Sequence, residues 1–239
     1  MPSNNDLIGE IISKTISSGR YVLTEYESKN ILREIGVSSP ACKLVRSVDE
    51  ALEAAEKLGY PVVLKIMSPD IIHKSEYGAV MLNLTGKKDV GEAYNKIISN
   101  VLAKAKHATI DGVMVSKMAP SGIVELIIGV SFDEQFGHTI MVGLGGIFVE
   151  LLKDVSMRLI PISDIDAEEM LKELKAYPIL NGYRSGCKAD IKSIKETLLK
   201  ISSLILKYPE ILELDLNPVI IYENGLSVVD ARIILRGQK

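Results

Sequence analysis

Tryptophan is absent from this 239-residue chain, glutamine occurs only at Gln135 and Gln238, and cysteine only at Cys42 and Cys187. The two thiols fit neither a metal-ligand spacing nor a disulfide framework, so a reducing cytoplasm is the expected setting. Neither sign of charge dominates. The formal net charge is −3 and the Lys and Arg residues are scattered, which excludes the basic footprint that nucleic acid demands. Apolar runs stay far short of the roughly 20 residues needed to span a bilayer, so no membrane segment is expected. The opening MPSNNDLIGE has no basic stretch followed by an apolar one, and no export signal is expected either.

What is present is ordinary for a soluble globular protein: 47% hydrophobic and 25% charged residues, in a length that suits one large domain or two intimate halves. Residues 6–18 place Leu7, Ile8, Ile11, Ile12 and Ile16 on one side of a helix. Thr24-Glu25-Tyr26-Glu27 is a capping box whose helix Gly36 ends, and Ser47-Val48-Asp49-Glu50 is a second, opening a helix that Gly59 ends. A strand at 41–45 lies between them. Strands at 62–66 and 79–84 flank a loop, and a helix follows from Asp89 to about Lys106. From Asp111-Gly112 the texture changes to short β-type runs at 113–118, 123–130, 139–142 and 147–152, then a capped helix near Asp166. A helix over 190–206 carries Ile191, Ile194, Leu198, Ile201 and Ile205 at 3-4-3-4 spacing. A hairpin of 211–222 and 226–235, turning at Glu223-Asn224-Gly225, closes the chain. The expected fold is mixed α/β (α+β) in two lobes: an N-terminal helix over 1–20, a first lobe over 21–111 and a second over 112–239.

The residues with chemical content fall in three places. Lys65 sits inside the apolar run Val62–Ile66, where a lysine either meets an anion such as nucleotide phosphate or snorkels to water. The following loop carries His73, Lys74, Ser75 and Gly78. Neutral imidazole is nucleophilic near pH 7, so His73 is either a phosphoryl acceptor or an exposed loop histidine with no task. His107 and His138 lack such surroundings, and three histidines this far apart offer no metal spacing. Gly143-Leu144-Gly145-Gly146, leading to Glu150, reads as a tight turn rather than a dinucleotide fingerprint or P-loop. In the closing hairpin Glu213, Asp215 and Asn217 alternate, so they share one strand face, with Asp230 returning near Asn217. An amide and a carboxylate, completed by water and substrate phosphates, suit Mg²⁺, and a polar outer face of a hairpin is the plainer reading.

Taken together, LTEYESKNILREIGV, PVVLK, SPDIIHKSEYGAV, FGHTIMVGLGGIFVELLKDVSMRLIP and LDLNPV followed by VVDARI resemble an ATP-grasp domain over nearly the whole chain. More narrowly, the chain is similar to the nucleotide-binding β subunits of ADP-forming acetyl-CoA synthetases. That resemblance implies ADP or ATP between the two lobes, Lys65 on its phosphates, Ser116, Lys117 and Met118 offering backbone to adenine, and Glu125 near the ribose. It implies Asn217 and Asp230 as Mg²⁺ ligands, Asp215 as support for a phosphohistidine, and His73 as the histidine phosphorylated on the way between acyl phosphate and ADP. The run Val115-Ser116-Lys117-Met118 lacks the glutamate many relatives carry at the hinge. The chain holds no Gly-rich Rossmann turn for CoA, so a CoA-binding α subunit is the implied partner, in an α2β2 assembly with no nucleic acid and no membrane. Two other functions fit an ATP-grasp chain: a carboxylate ligase acting through a direct acyl phosphate, and a nucleotide-sensing subunit without chemistry.

Overall fold

The computed structural model describes residues 6–71, 73–146, 154–183 and 186–237. The chain divides into two compact units, one of residues 40–120 and one formed by 1–39 together with 121–239. This corrects the expected boundary at residue 112. Strand β4 (Gly112–Lys117) inserts antiparallel between β1 (Cys42–Val45) and β2 (Val62–Met67), which hold it in the first sheet, and the crossing points lie at residues 39–40 and 120–121 instead. The N-terminal helix likewise is no separate piece: α1 (Leu7–Ser17) packs on α2 (Glu25–Glu34) in the larger unit.

In the 40–120 unit the sheet order is β1-β4-β2-β3, with β3 spanning Val80–Leu84. Helices α3 (Val48–Leu58) and α4 (Lys87–Lys104) pack on each other, and with β2 and β4 they bury Val62, Leu64, Ile66, Val113 and Val115 among Ala51, Ala54, Val90 and Ile97. Period two then turns Val63, Lys65, Met114 and Ser116 to the other face. Ser47 caps α3 by accepting from the Glu50 N–H, but the expected box does not close, because the Glu50 carboxylate accepts from Arg46 N–H at 2.7 Å instead.

In the larger unit the sheet runs β10-β8-β5-β6-β7, from β5 (Val124–Asp133), β6 (Gly137–Leu144), β7 (Val155–Leu159), β8 (Ile211–Ile221) and β10 (Ala231–Leu235), with β9 (Leu226–Val228) paired to β8. Helices α5 (Asp164–Lys172) and α7 (Ile191–Lys207) and the short α6 (Tyr177–Leu180) follow β7 in the chain. The stripe of α7 buries Ile194, Leu198, Ile201 and Ile205 against Leu126, Ile128, Ile140 and Leu214. Each such side chain contributes about 1.5–3 kcal/mol, so Leu198→Ala costs about 2–5 kcal/mol. The Thr24–Glu27 box at the head of α2 forms as expected, and one turn of that helix holds a fully buried pair, Lys29 Nζ 2.9 Å from Glu25 Oε1. The helix expected near Asp166 starts two residues earlier, with Ser163 as its cap and Asp166 closing a box. Strand β7 falls outside the expected elements, and the expected run 147–152 with Glu150 lies outside the described residues.

Candidate functional site

The larger unit gathers its polar groups by strand register. Residues directly opposite in an antiparallel ladder point to one face. Asp215 faces Gly129 on one side and Arg232 on the other, and Glu125 faces Ile220. Leu214, Leu216 and Val219 turn to the helices and are buried, while Glu213, Asp215 and Asn217 turn away and are exposed, as the alternation requires. The returning strand is broken into β9 and β10 where the β5–β8 register shifts. In that break Asn217 N–H donates to Asp230 O at 3.3 Å and Val229 N–H donates to Pro218 O at 3.0 Å, which holds Asn217 and Asp230 side by side. One Asp230 carboxylate oxygen also accepts from the Ala231 N–H at 2.8 Å.

The charges there are uncomfortable. Asp215 reaches solvent, yet crowding protein atoms desolvate its carboxyl and raise its pKa above the ordinary aspartate value. Arg232 across the ladder pulls it down, and Asp230 and Glu213 push it up again. Oxygen donors with surplus negative charge fit a hard cation that keeps part of its water shell. Among the described residues no group of three or more His, Cys, Asp or Glu side chains is gathered to hold a metal.

The glycine turn adjoins this face. Gly145 N–H donates to Glu125 O at 2.7 Å, and a Cβ at Gly145 would stand 2.9 Å from that oxygen, so only glycine allows the approach. A Cβ at Gly146 would lie 3.8 Å from the Glu125 carboxylate, which is therefore a neighbour of the turn.

In the 40–120 unit, Lys65 is 7% exposed and Ser116 3%, on the sheet face away from α3 and α4. The Lys117 ammonium is committed to the carbonyls of Gly59 and Tyr60, both at 2.8 Å, and so clamps the turn before β2. The N–H groups of Lys117 and Met118 donate to Ala41 O and Pro61 O. The sequence pattern carried no sign of these commitments. The loop after β2 is pinned at both ends: Asp70 accepts from Thr109 N–H at 2.7 Å, and Asn100 and Lys104 of α4 donate to Gly78 O and Glu76 O. His73 is exposed between those anchors. Asn100 and Lys104 escaped the sequence reading because they lie more than twenty residues away, and only their helical i, i+4 spacing hints at a shared target.

His138 lies half-buried on β6 rather than in an exposed loop, with Nε2 2.7 Å from Ile211 O and its ring edge-on to Phe132. Cys42 and Cys187 are not disulfide-bonded. No helix among the described residues is long and apolar enough to cross a membrane.

Residues 14–235 match the family model described as ATP-grasp domain. Over 231 residues the chain is 48% identical to the β subunit of acetate–CoA ligase (ADP-forming) II of Pyrococcus furiosus, covering 95% of this chain and 98% of that one. It is also 48% identical over 226 residues to acetate–CoA ligase (ADP-forming) I of Archaeoglobus fulgidus, a longer protein of which it spans 33%. Among solved structures, acetyl-coenzyme A synthetase 1 of Ca. Korarchaeum cryptofilum is similar with a TM-score of 0.85 and 44% identity, covering 96% of this chain and 100% of that one. That structure holds coenzyme A and Mg-AMPPCP, with a phosphohistidine segment pointing towards the nucleotide binding site. The ATP-grasp expectation is thereby met, and the chain belongs to the ATP-grasp domain family, among the β subunits of ADP-forming acetate–CoA ligases.

Proposed function

We propose that this chain is the nucleotide-binding β subunit of an ADP-forming acyl-CoA synthetase, which converts acyl-CoA, ADP and phosphate to acid, CoA and ATP together with a CoA-binding α subunit. The observation that carries this is the outer face of the larger sheet, where Asn217 and Asp230 adjoin a desolvated Asp215 on elements shared with the β subunits of that enzyme. The partner is inferred from the separate β subunit of one relative and the threefold longer chain of another, and an α2β2 assembly in a reducing cytoplasm is the finer reading.

In this mechanism the partner's chemistry makes acyl phosphate from acyl-CoA and phosphate, releasing CoA, and a partner histidine accepts the phosphoryl group, releasing the acid. The phosphoryl group then passes by way of His73 to the terminal oxygen of ADP. The first transfer breaks the P–O bond of acyl phosphate as a P–N bond forms, the second exchanges one P–N bond for another, and the last breaks a P–N bond as a P–O bond forms on ADP. Lys65 neutralises charge on the phosphates from a buried position, where its electrostatic effect is stronger than in water. Asp215 orients an imidazole and stabilises the positive charge the ring gains as it accepts the phosphoryl group. Asn217 and Asp230 would hold Mg²⁺, which when bound offsets phosphate charge. Glu125 binds the ribose. For adenine, the backbone at Ser116, Lys117 and Met118 has its Lys117 and Met118 N–H groups already engaged, so carbonyl oxygens are the contacts proposed.

His73→Ala tests the assignment. ADP affinity should stay within about twofold while acyl-CoA-dependent ATP formation falls by about a thousandfold, the loss that follows removal of a covalent relay. Turnover near wild type would remove His73 from the path.

A further inference from the structure

We propose that Asn100 and Lys104 of α4 are positioning residues for phosphoryl transfer at His73, an inference that rests on the function proposed above. The loop that carries His73 is not a slack connection. Ile71 and Ala79 are buried in the core of the 40–120 unit, and Tyr77 packs against it. Ala79 N–H donates to Lys74 O at 3.0 Å and Gly78 N–H to Ser75 O at 2.9 Å. With Gly78 at a φ of 61°, this pair of bonds is the Schellman closure that elsewhere ends a helix. Residues 74–79 therefore form a closed turn, and the exposed His73 is the residue that leads into it.

A turn closed on itself still needs an orientation, and α4 supplies it. Asn100 and Lys104 stand one above the other on a single helix face. Asn100 Nδ2 donates to Gly78 O at 2.9 Å, and Lys104 Nζ donates to Glu76 O at 2.8 Å. Glu76 joins the second contact to the histidine, because its own N–H donates to His73 O at 3.1 Å. Asn100 also dictates its partner. A Cβ at Gly78 would stand 2.8 Å from Nδ2, and only glycine combines that approach with the left-handed φ. On the other side of His73, Asp70 accepts from Thr109 N–H at 2.7 Å.

The fold itself does not depend on these two side chains, since Ile71 and Ala79 already anchor the loop at 3% and 0% exposure. What Asn100 and Lys104 fix is the exposed middle, and placement is what the transfer needs. His73 attacks as a neutral imidazole and becomes cationic on accepting phosphorus. It returns to neutral when the P–N electron pair goes back to nitrogen as phosphorus bonds the terminal oxygen of ADP. No proton has to enter or leave the ring, so the geometry of approach governs the rate. A misplacement of about 1 Å costs about a hundredfold.

The test uses the reconstituted two-subunit enzyme. Asn100→Ala should lower kcat for acyl-CoA-dependent ATP formation by about ten- to a hundredfold, with KM for ADP within about twofold and thermal unfolding as in wild type. Lys104→Met should give a smaller loss that Lys104→Arg restores by keeping a donor. Lys96→Met, on the exposed surface of the same helix, should be silent. Gly78→Ala should also lower kcat, and combined with Asn100→Ala it should cost less than the product of the two losses, because both break one contact. Phosphoramidate, which phosphorylates imidazole without a partner protein, should label His73 equally in wild type and Asn100→Ala, and only discharge of that label into ATP should slow. An unchanged kcat in Asn100→Ala, a loss confined to KM or to thermal stability, or fully multiplicative losses in the double variant would each overturn the positioning role. If phosphate on wild-type His73 never reaches ADP, the function proposed above fails first, and that arm tells the two failures apart.

Discussion

Both units cover one face of an antiparallel sheet with helices and turn their chemistry to the other, yet they treat charge in opposite ways. The 40–120 unit buries its cation, with Lys65 at 7% exposure in a strand that is buried along its whole length. The larger unit leaves Glu213, Asp215 and Asn217 exposed, with the Asp215 carboxyl only partly desolvated. On the function proposed above, the difference follows from what each would meet. A buried ammonium is costly alone but acts strongly on a phosphate that enters the same low-dielectric surroundings. Carboxylates that receive a hydrated divalent ion need room for the waters it keeps. Lys29, buried in the larger unit, is matched within its own helix by Glu25.

Between the two sheets, the largest effect should come from removing Lys65. Lys65→Met is expected to lower ATP formation by about a hundredfold or more in steady-state assays, as removal of one preorganised charge stabiliser does. A loss below tenfold would mean that dry placement is not used in catalysis. Lys29→Met should instead act on stability, by about 3–5 kcal/mol in denaturant unfolding, because it strands the Glu25 charge in the core. Lost turnover with unchanged stability would erase the distinction between the two buried lysines.

On the wet side, Asp230→Asn should raise the Mg²⁺ concentration needed for half-maximal rate by roughly 10- to 100-fold, readable as a shift in metal titration. The smallest effect belongs to Asp215, whose pKa is raised. A raised acid keeps its proton to higher pH in the folded chain, so stability falls as pH climbs from the unfolded value through the folded one. Asp215→Asn should therefore be slightly more stable than wild type at pH 7 and should lose the acidic limb of the rate profile. An unchanged limb would assign that titration to another group.

How much of this was legible depended on whether the cause was local. The Thr24–Glu27 box, the α7 stripe and the alternation of Glu213, Asp215 and Asn217 are set by neighbours within a turn or two residues, and all three appear as expected. The box at Ser47 stayed half-formed because the Arg46 N–H competed for the Glu50 carboxylate. Sheet order is not local, so β4 could not be assigned to the first sheet from its own six residues. Strand β7 went unread although Val155–Leu159 alternates apolar and polar, and alternation could not show that its polar residues face inward, satisfied by Glu173, whose pKa Arg158 and Ser156 hold down at about 2. Period two marks a strand but not which of its faces meets the core.

Calorimetric titration of ADP into the purified chain, with and without Mg²⁺, tests the central claim most directly. One ADP should bind per chain, tighter with Mg²⁺, with Lys65→Met weakening binding in both conditions and Asp230→Asn weakening only the metal's contribution. No binding heat, or affinities indifferent to both substitutions, would contradict it.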